Sequence, residues 1–144
     1  MEKGKILALD IGKSKIGVAI SDANRQMAFG RGILAANPKN KLFNHLAAII
    51  KDEMVKLLLI GLPMSPNGED TPQTLLIKDW TQNFLNYLGK LKLKVGLQYI
   101  DESFSTFEAN QLLSTVGIKI KEGKRLEDEM AAIILIHRYI DFKP

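Results

Sequence analysis

Two apolar runs near the start of the chain each lead to an aspartate, and this feature constrains the fold most. ILAL runs into Asp10, and IGVAI runs through a serine into Asp22, with Gly12, Lys13 and Ser14 in between. The pattern predicts a β-hairpin with a tight turn at these three residues. A lone carboxylate at the end of a buried strand is costly, so we expect other groups to join Asp10. Asp22 is expected at the opposite end of the hairpin, as a turn residue.

The remaining hydrophobic patterns predict an α/β fold. MAFGRGILAA, VKLLLIGLP and LKVGLQYID are predicted as strands, and the second is typical of a strand covered on both faces. Helices are predicted over NPKNKLFNHLAAIIKDE, from Thr71 and Pro72 onwards, over STFEANQLLS and over RLEDEMAAIILIHRYID. Three consecutive strands followed by βα units imply a mixed central sheet, antiparallel at one end, with helices on both faces.

The helix that starts at Thr71 and Pro72 has a regular apolar stripe. Its large apolar residues recur every four positions: Leu76, Trp80, Phe84 and Leu88. This spacing places side chains on one side of a helix. Such a stripe is typical of the core-facing side of a helix, and for Trp80 core packing is favoured over base stacking.

Length and composition narrow the class of protein. A chain of 144 residues suits one domain with its own core, and we expect residues 1–144 to form it. The chain has no cysteine, which excludes disulfides and thiolate metal sites. The longest apolar runs, LLLIGLPM and MAAIILI, are too short to span a bilayer, and the first residues do not resemble a signal peptide. We expect a cytoplasmic protein without membrane contact.

The charge balance favours a polyanionic partner. The chain carries 20 Lys and Arg against 16 Asp and Glu, a formal net charge of +4. A basic domain of this kind is mildly indicative of nucleic acid as a partner. The lysine-rich segments KLKLK and IKIKEGKR are equally explained as solvated faces.

Several acids are positioned to join Asp10. Asp101 and Glu102 end the last predicted strand, and ligands of α/β sheets collect outside the carboxyl ends of parallel strands. Residues 127–129, all acidic, lie near the start of the final helix, where Ala131 and Ala132 allow close approach to the sheet. Spacing leaves open which acid of each group meets Asp10.

Converging carboxylates predict a divalent metal site. They repel one another unless a cation lies among them, and hard oxygen ligands suit Mg²⁺ or Mn²⁺. Two such ions, about 4 Å apart, can hold the attacking and leaving oxygens of phosphoryl transfer. The alternative is purely structural: Asp10 forms a turn with Gly12, and the acids of the final helix favour its positive end.

Four segments, taken together, resemble one known family. They are LALDIGKSKIGVAISD, LLLIGLPMSPNGED, DESFSTFEANQLL and EDEMAAIILIHRYID. In this order they are similar to the motifs of the YqgF/RuvX family, described both as Holliday-junction resolvases and as nucleases of precursor ribosomal RNA. The resemblance covers nearly the whole chain. It departs from the family at Ser103 and Lys15, where the family carries arginine.

The resemblance implies a ribonuclease-H-like fold and a metal-dependent nuclease, a hydrolase of ester bonds. Carried over by position, the catalytic and metal-binding acids are Asp10, Glu102 and Asp128, with one or two Mg²⁺ or Mn²⁺ ions as cofactors. The implied function is processing of the 5′ end of precursor 16S ribosomal RNA in ribosome biogenesis, by a monomer or homodimer. The alternatives are a resolvase of branched DNA, which calls for a dimer, and a catalytically idle nucleic-acid-binding module.

Further residues are expected to contact substrate because they lie close to these acids in the sequence. Lysines beside Asp10 can contact phosphates, a hydroxyl near Glu102 can donate to one, and the basic residues before Asp128 can form an approach to the site. The loop after the apolar strand is at the end where active sites gather. The expected substrate-binding residues are Lys13, Lys15, Gly61, Pro63, Thr106, Lys124 and Arg125.

Overall fold

The computed structural model describes residues 3–101 and 124–141, with side chains described from residue 129 onwards in the second range. The described residues form a five-stranded sheet in the order β3-β2-β1-β4-β5. Its strands are β1 (Lys5–Ile11), β2 (Lys15–Ser21), β3 (Ala28–Ala35), β4 (Val55–Leu62) and β5 (Gly96–Asp101). The pairs β1–β2 and β2–β3 are antiparallel, whereas β1–β4 and β4–β5 are parallel. The predicted mixed sheet is confirmed.

Helices cover both faces of this sheet, as predicted. The described helices are α1 (Lys39–Asp52), α2 (Pro72–Lys90) and α3 (Lys124–Asp141). Helices α1 and α2 pack on one face, and α3 packs on the other. The helix predicted over STFEANQLLS lies outside the described residues.

The side chains of β1 alternate between two hydrophobic cores. Leu7, Leu9 and Ile11 belong to the core under α1 and α2. In that core the ring of Phe43 packs edge-on to Trp80, with their centroids 5.3 Å apart. Alternate residues of β1 therefore face opposite sides of the sheet, and this alternation gives the direction of the side chains at the end of the strand.

Among the described residues, the core under α3 includes three alanines at its centre. Ala8 of β1 pairs with Ala19 of β2, and both are fully buried beneath Ala132 of α3. Leu135 and Ile136 complete the helix contribution to this cluster. Small side chains on both partners let a helix approach a sheet closely, which confirms the expectation for Ala132.

The apolar stripe of α2 differs from the predicted one by a single position. Leu76 is 68% exposed, whereas Ile77 is 3% exposed and faces the core. The buried residues follow the three-four alternation of a helix: Thr74, Ile77, Trp80, Thr81, Phe84 and Leu88. Residues that recur every four positions shift progressively around a helix of 3.6 residues per turn. The first residue of the repeat, Leu76, therefore lies outside the buried face.

Both predicted turns of the hairpin region are present. The Gly12 amide donates to the Lys15 carbonyl, 2.9 Å away, and closes the turn between β1 and β2. Asp22 lies at the other end of the hairpin, where its carboxylate accepts backbone N–H groups of Met27 and Gln26. These hydrogen bonds, of which the one from Met27 has the largest effect, hold the pKa of Asp22 below its usual range.

None of the described helices combines the length and the hydropathy that a membrane-spanning segment requires.

Candidate active site at the carboxyl edge of the sheet

Asp10 lies at the edge where β1, β4 and β5 end, called here the carboxyl edge. It pairs with Gly17 of β2 and is half-buried. Because Ile6 and Ala8 face α3, alternation places Asp10 on the α3 face as well. Among the residues that the structure describes, none forms a hydrogen bond or ion pair with the Asp10 carboxylate. A half-buried carboxylate that pairs with no described cation fits an oxygen ligand of a divalent metal ion.

Strand β4 lies between β1, which carries Asp10, and β5, which ends at Asp101. Leu9 pairs with Ile60, and Gly61 pairs with Ile100. Extending the parallel register by one residue puts Asp10 level with Gly61 and Ile100. Two strand spacings separate β1 from β5, roughly 10 Å, a span that one or two metal ions with their ligands can bridge.

The direction of the side chains along β5 distinguishes Asp101 from Glu102 as a partner of Asp10. Ile100 packs in the core under α3, so the next residue, Asp101, points to the opposite face from Asp10. The Asp101 carbonyl accepts a hydrogen bond from the guanidinium of Arg138 in α3. Asp101 is thus on the wrong face to join Asp10, and Glu102 lies outside the described residues.

Gly61 lies near the end of β4, the strand between β1 and β5, and Pro63 follows that strand directly. Gly61 is buried within β4, not in the following loop, and offers no side chain to fill the space between β1 and β5. Pro63 is half-buried, and its carbonyl accepts the Thr74 hydroxyl at 2.7 Å. The loop beyond it is closed by its own contacts, with Ser65 Oγ bonded to the backbone of Glu69. The segment that follows β4 is therefore attached to α2 through the Thr74 hydroxyl.

Of the three acids at positions 127–129 of α3, Glu129 has a described side chain, and it contacts β3. The Glu129 carboxylate accepts the backbone N–H of Gly32 in β3 at 3.3 Å, and its Oε1 would lie 2.0 Å from a Cβ on Gly30. Since β3 lies on the side of β1 away from β4, Glu129 is engaged away from the carboxyl end of β4. Position 128 lies one helical turn before the buried Ala132, and its side chain and that of Glu127 lie outside the described residues.

The basic residues predicted to bind substrate fall into two groups. Lys13 and Lys15 are exposed on the hairpin turn that follows Asp10, and neither forms an ion pair within the described ranges. Lys124 and Arg125 belong to the first turn of α3, with side chains outside the described residues, and Thr106 lies entirely outside them.

No cluster of three acids or histidines that could hold a metal ion occurs among the described residues. The described residues do not include Glu102 or the side chain of Asp128.

The sequence reasoning missed a groove on the other face of the same edge. This groove, of about 500 Å³, is bordered by Ile11 and Lys13 at the hairpin, Lys39 at the start of α1, and Leu76 and Trp80 of α2. The assignment of Leu76 to the core concealed it. The three-four spacing of Ile77, Trp80 and Thr81 was the signal that excludes Leu76 from the buried face.

The chain is similar in sequence to a family with a known description. A family model described as "RuvX: Holliday junction resolvase" matches residues 4–142. A protein of Roseiflexus sp. (strain RS-1) named "Putative pre-16S rRNA nuclease" is 31% identical over 140 residues, 97% of this chain and 96% of the relative. A protein of the same name from Clostridioides difficile (strain 630) is 32% identical over 143 residues, 99% of this chain and 98% of the relative.

Two solved structures share the fold at low sequence identity. T. thermophilus RuvC in complex with a Holliday junction substrate aligns with a TM-score of 0.59 and 8% identity, covering 96% of both chains. The Fowlpox virus resolvase in complex with Holliday junction DNA also aligns at 0.59, with 12% identity, covering 95% of this chain and 97% of the resolvase. The ribonuclease-H-like α/β fold predicted from the motifs is confirmed.

Proposed function

The chain belongs to the RuvX family, and from that premise we propose that it is a metal-dependent nuclease that processes the 5′ end of precursor 16S ribosomal RNA. Family membership makes it a nuclease, a hydrolase of phosphodiester bonds. The names of the relatives support ribosomal RNA as the substrate. The observation that carries the metal site is the half-buried Asp10 carboxylate, which no described residue neutralises. Residues 1–144 act as one cytoplasmic domain in this proposal.

We assign Asp10, Glu102 and Asp128 as ligands of one or two Mg²⁺ or Mn²⁺ ions. Alternation along β5 favours Glu102 over Asp101, because the residue after Asp101 is the one expected on the face of Asp10. Helix periodicity favours Asp128, because position 128 shares a stripe with Ala132 and Leu135, which pack on that face. When bound, such ions supply the positive charge that activates water and stabilises the leaving oxygen.

The other residues of the site bind and orient the substrate in this proposal. Lys13 and Lys15 contact backbone phosphates on either side of the cut bond. Gly61 leaves space for the phosphate between β1 and β5, and Pro63 borders that space. Thr106 donates to a phosphate, and Lys124 and Arg125 form a basic approach to it. Lys15, in place of the family arginine, keeps the charge without the bidentate fork, and Ser103 keeps neither.

A resolvase of branched DNA is the second candidate. The description of the matching family names that activity, and two structures of the same fold hold Holliday junctions. The two substrates differ in symmetry, since a four-way junction presents two equivalent strands to cut. Direct competition between the substrates therefore separates the candidates.

The test presents precursor 16S RNA and a four-way DNA junction to the purified protein with Mn²⁺. We expect cleavage of the RNA. Asp10→Asn is expected to lower the cleavage rate by at least about a hundredfold, because mutating residues that only orient the metal ligands already lowers activity by about ten- to a hundredfold. Asp22→Asn is the matched control: it makes the same change in the same hairpin, at the opposite end, and is expected to cleave normally.

Three results would contradict parts of this proposal. Normal cleavage by Asp10→Asn rejects the metal site, and normal cleavage by Glu102→Gln or Asp128→Asn rejects that ligand. Cleavage of the junction alone selects the resolvase. Binding of both substrates with cleavage of neither, and Mn²⁺ affinity by calorimetry that is unchanged in Asp10→Asn, selects the idle module.

A further inference from the structure

The groove on the α1 and α2 face lies one residue from the candidate metal site. Ile11, which borders the groove, follows Asp10 directly in β1, and consecutive residues of a strand point to opposite faces. The groove and the acidic site therefore flank the same sheet edge on opposite sides. A flexible strand that crosses this edge can reach both.

The lining of the groove combines an apolar wall with a positively charged rim. Leu76 and Trp80 form part of the wall; Leu76 is 68% exposed and Trp80 is 9% exposed. Lys13 and Lys39 lie at the rim, and within the described ranges neither takes part in an ion pair. Asp79, also at the rim, offers an acceptor for N–H groups.

We propose that this groove binds one unpaired nucleotide of the substrate, next to the phosphate that is cut. The base packs against Leu76 and the exposed part of Trp80, and Asp79 accepts an N–H from the edge of the base. Lys13 and Lys39 bind the adjoining phosphates. The inference rests on the proposed nuclease function for the identity of the strand, but its binding step needs no metal ion.

The dimensions of the groove favour a single nucleotide over a duplex. A volume of about 500 Å³ is within the range of sites for small molecules. Bases of a duplex are stacked and paired, so their faces cannot pack against an apolar wall, whereas unpaired bases can be turned out and stacked on protein side chains. The two lysines then face the two phosphates that flank the bound nucleotide.

Trp80 provides a direct readout because it is the chain's single tryptophan. The full-length protein in EDTA is titrated with a fluorescein-labelled ten-nucleotide single-stranded RNA and with a blunt RNA duplex of the same length. Trp80 emission is followed with unlabelled RNA, and anisotropy gives the dissociation constant. We expect the single strand to change Trp80 emission and to bind more tightly than the duplex.

Two pairs of variants separate the groove from general charge. Leu76→Glu and Leu75→Glu place the same charge on neighbouring exposed leucines of α2, and Leu76 alone of the two lines the groove. Lys39→Gln and Lys41→Gln each remove one positive charge from the first turn of α1, and of these Lys39 lines the groove. We expect about a tenfold loss of single-strand affinity in Leu76→Glu and Lys39→Gln, and less than about twofold in their controls.

The outcomes distinguish this inference from the nuclease proposal. Equal losses within each pair, unchanged Trp80 emission, or equal affinity for single strand and duplex would overturn the groove assignment, even if Asp10→Asn abolishes cleavage. Conversely, if Asp10→Asn cleaves normally while the groove variants lose affinity, the metal site fails and the groove assignment stands. The folded state of each variant is checked by urea unfolding, since all four substituted side chains are exposed.

Discussion

Gly12 lies where β1 turns into β2, immediately after the residues that border both proposed sites. A Cβ at this position would lie 2.9 Å from the Lys15 carbonyl oxygen, which already accepts the Gly12 amide. Backbone atoms of a closed turn cannot move aside as a side chain can. The absence of a side chain at Gly12 is therefore part of what holds Asp10 at the carboxyl edge.

Gly12→Ala is expected to lower the free energy of unfolding by about 1–3 kcal/mol, because the added methyl group forces the turn apart. Gly89→Ala is the matched control, since a Cβ at Gly89 in α2 meets no atom of the described residues within 4 Å. That change is expected to raise the same free energy by up to about 1 kcal/mol. Urea unfolding of both variants measures the difference, and equal stabilities would show that the turn opens without cost.

Glu53, directly after α1, is held by two cations. Lys5 Nζ lies 2.6 Å from Glu53 Oε1, and the Arg31 guanidinium lies 3.3 Å from Oε2. The hydrogen bond and charge of Lys5, with a smaller contribution from Arg31, lower the pKa of Glu53 below its ordinary value of 4.5. Because the folded state binds this proton less tightly, the stabilisation is present above about pH 4.5 and is lost as the pH falls through the folded pKa.

Glu53→Gln is therefore expected to be less stable than the parent protein at pH 7, by about 0.5–1 kcal/mol, as is usual for partly exposed ion pairs. The difference should shrink as the pH falls below about 4.5. Asp52→Asn removes the same charge one residue earlier, from a side chain without an ion pair in the described part of the chain, and should change stability less. Urea unfolding between pH 3 and pH 7 tests the sign, and a difference independent of pH would contradict it.

At the scale of elements, α2 connects the two proposed sites. Its N-cap is Thr71, whose hydroxyl accepts the Thr74 amide while Thr74 Oγ1 accepts the Thr71 amide. The same Thr74 hydroxyl donates to the Pro63 carbonyl at the end of β4. One buried side chain thus closes the helix start and ties it to the loop beside the candidate metal site.

Thr74→Val is expected to lower the free energy of unfolding by about 1–3 kcal/mol, because it leaves the Pro63 carbonyl and the Thr71 amide without these partners. Thr81→Val is the control: Thr81 is equally buried in α2, but its hydroxyl donates to Ile77, an ordinary carbonyl of the same helix. That change should cost less than about 1 kcal/mol. If the two variants are equally stable, the contact with Pro63 does not contribute.

The prediction of elements succeeded where the signal is local. The tight turn at residues 12–14 and the start of α2 at Pro72 were predicted from residue types that act on their immediate neighbours. The stripe of α2 was predicted one position off at Leu76, because a repeat of four and the true period of 3.6 diverge within two turns. That error hid the wall of the groove.

At the scale of the whole molecule, the two proposed sites lie on opposite faces of the sheet. Asp10 lies on the α3 face, beside a core that includes three alanines, and the groove lies on the α1 and α2 face, over a core that includes Phe43, Trp80 and Phe84. Both open at the carboxyl edge. In our proposal, a substrate strand that crosses this edge is held on one side and cut on the other, and all the residues assigned to these steps belong to one chain.

We therefore expect the protein to act as a monomer on precursor RNA. Sedimentation at assay concentration should give a mass near 16.1 kDa, with a cleavage rate per molecule that does not change on dilution. A junction resolvase needs two sites that face two strands, so it requires a dimer. A mass twice as large, together with paired cuts in a four-way junction, would contradict the monomer and favour the resolvase.

The sequence alone determined the described strands and helices, the mixed sheet and the family, because periodicity and motifs are properties of residues close together in the chain. Tertiary structure decided the rest. That Asp101 faces away from Asp10, that β4 separates β1 from β5, and that Glu129 meets β3 all follow from the pairing of distant segments. Spacing along a chain does not specify such pairings, since the face of a side chain at a sheet edge depends on the register of its neighbours.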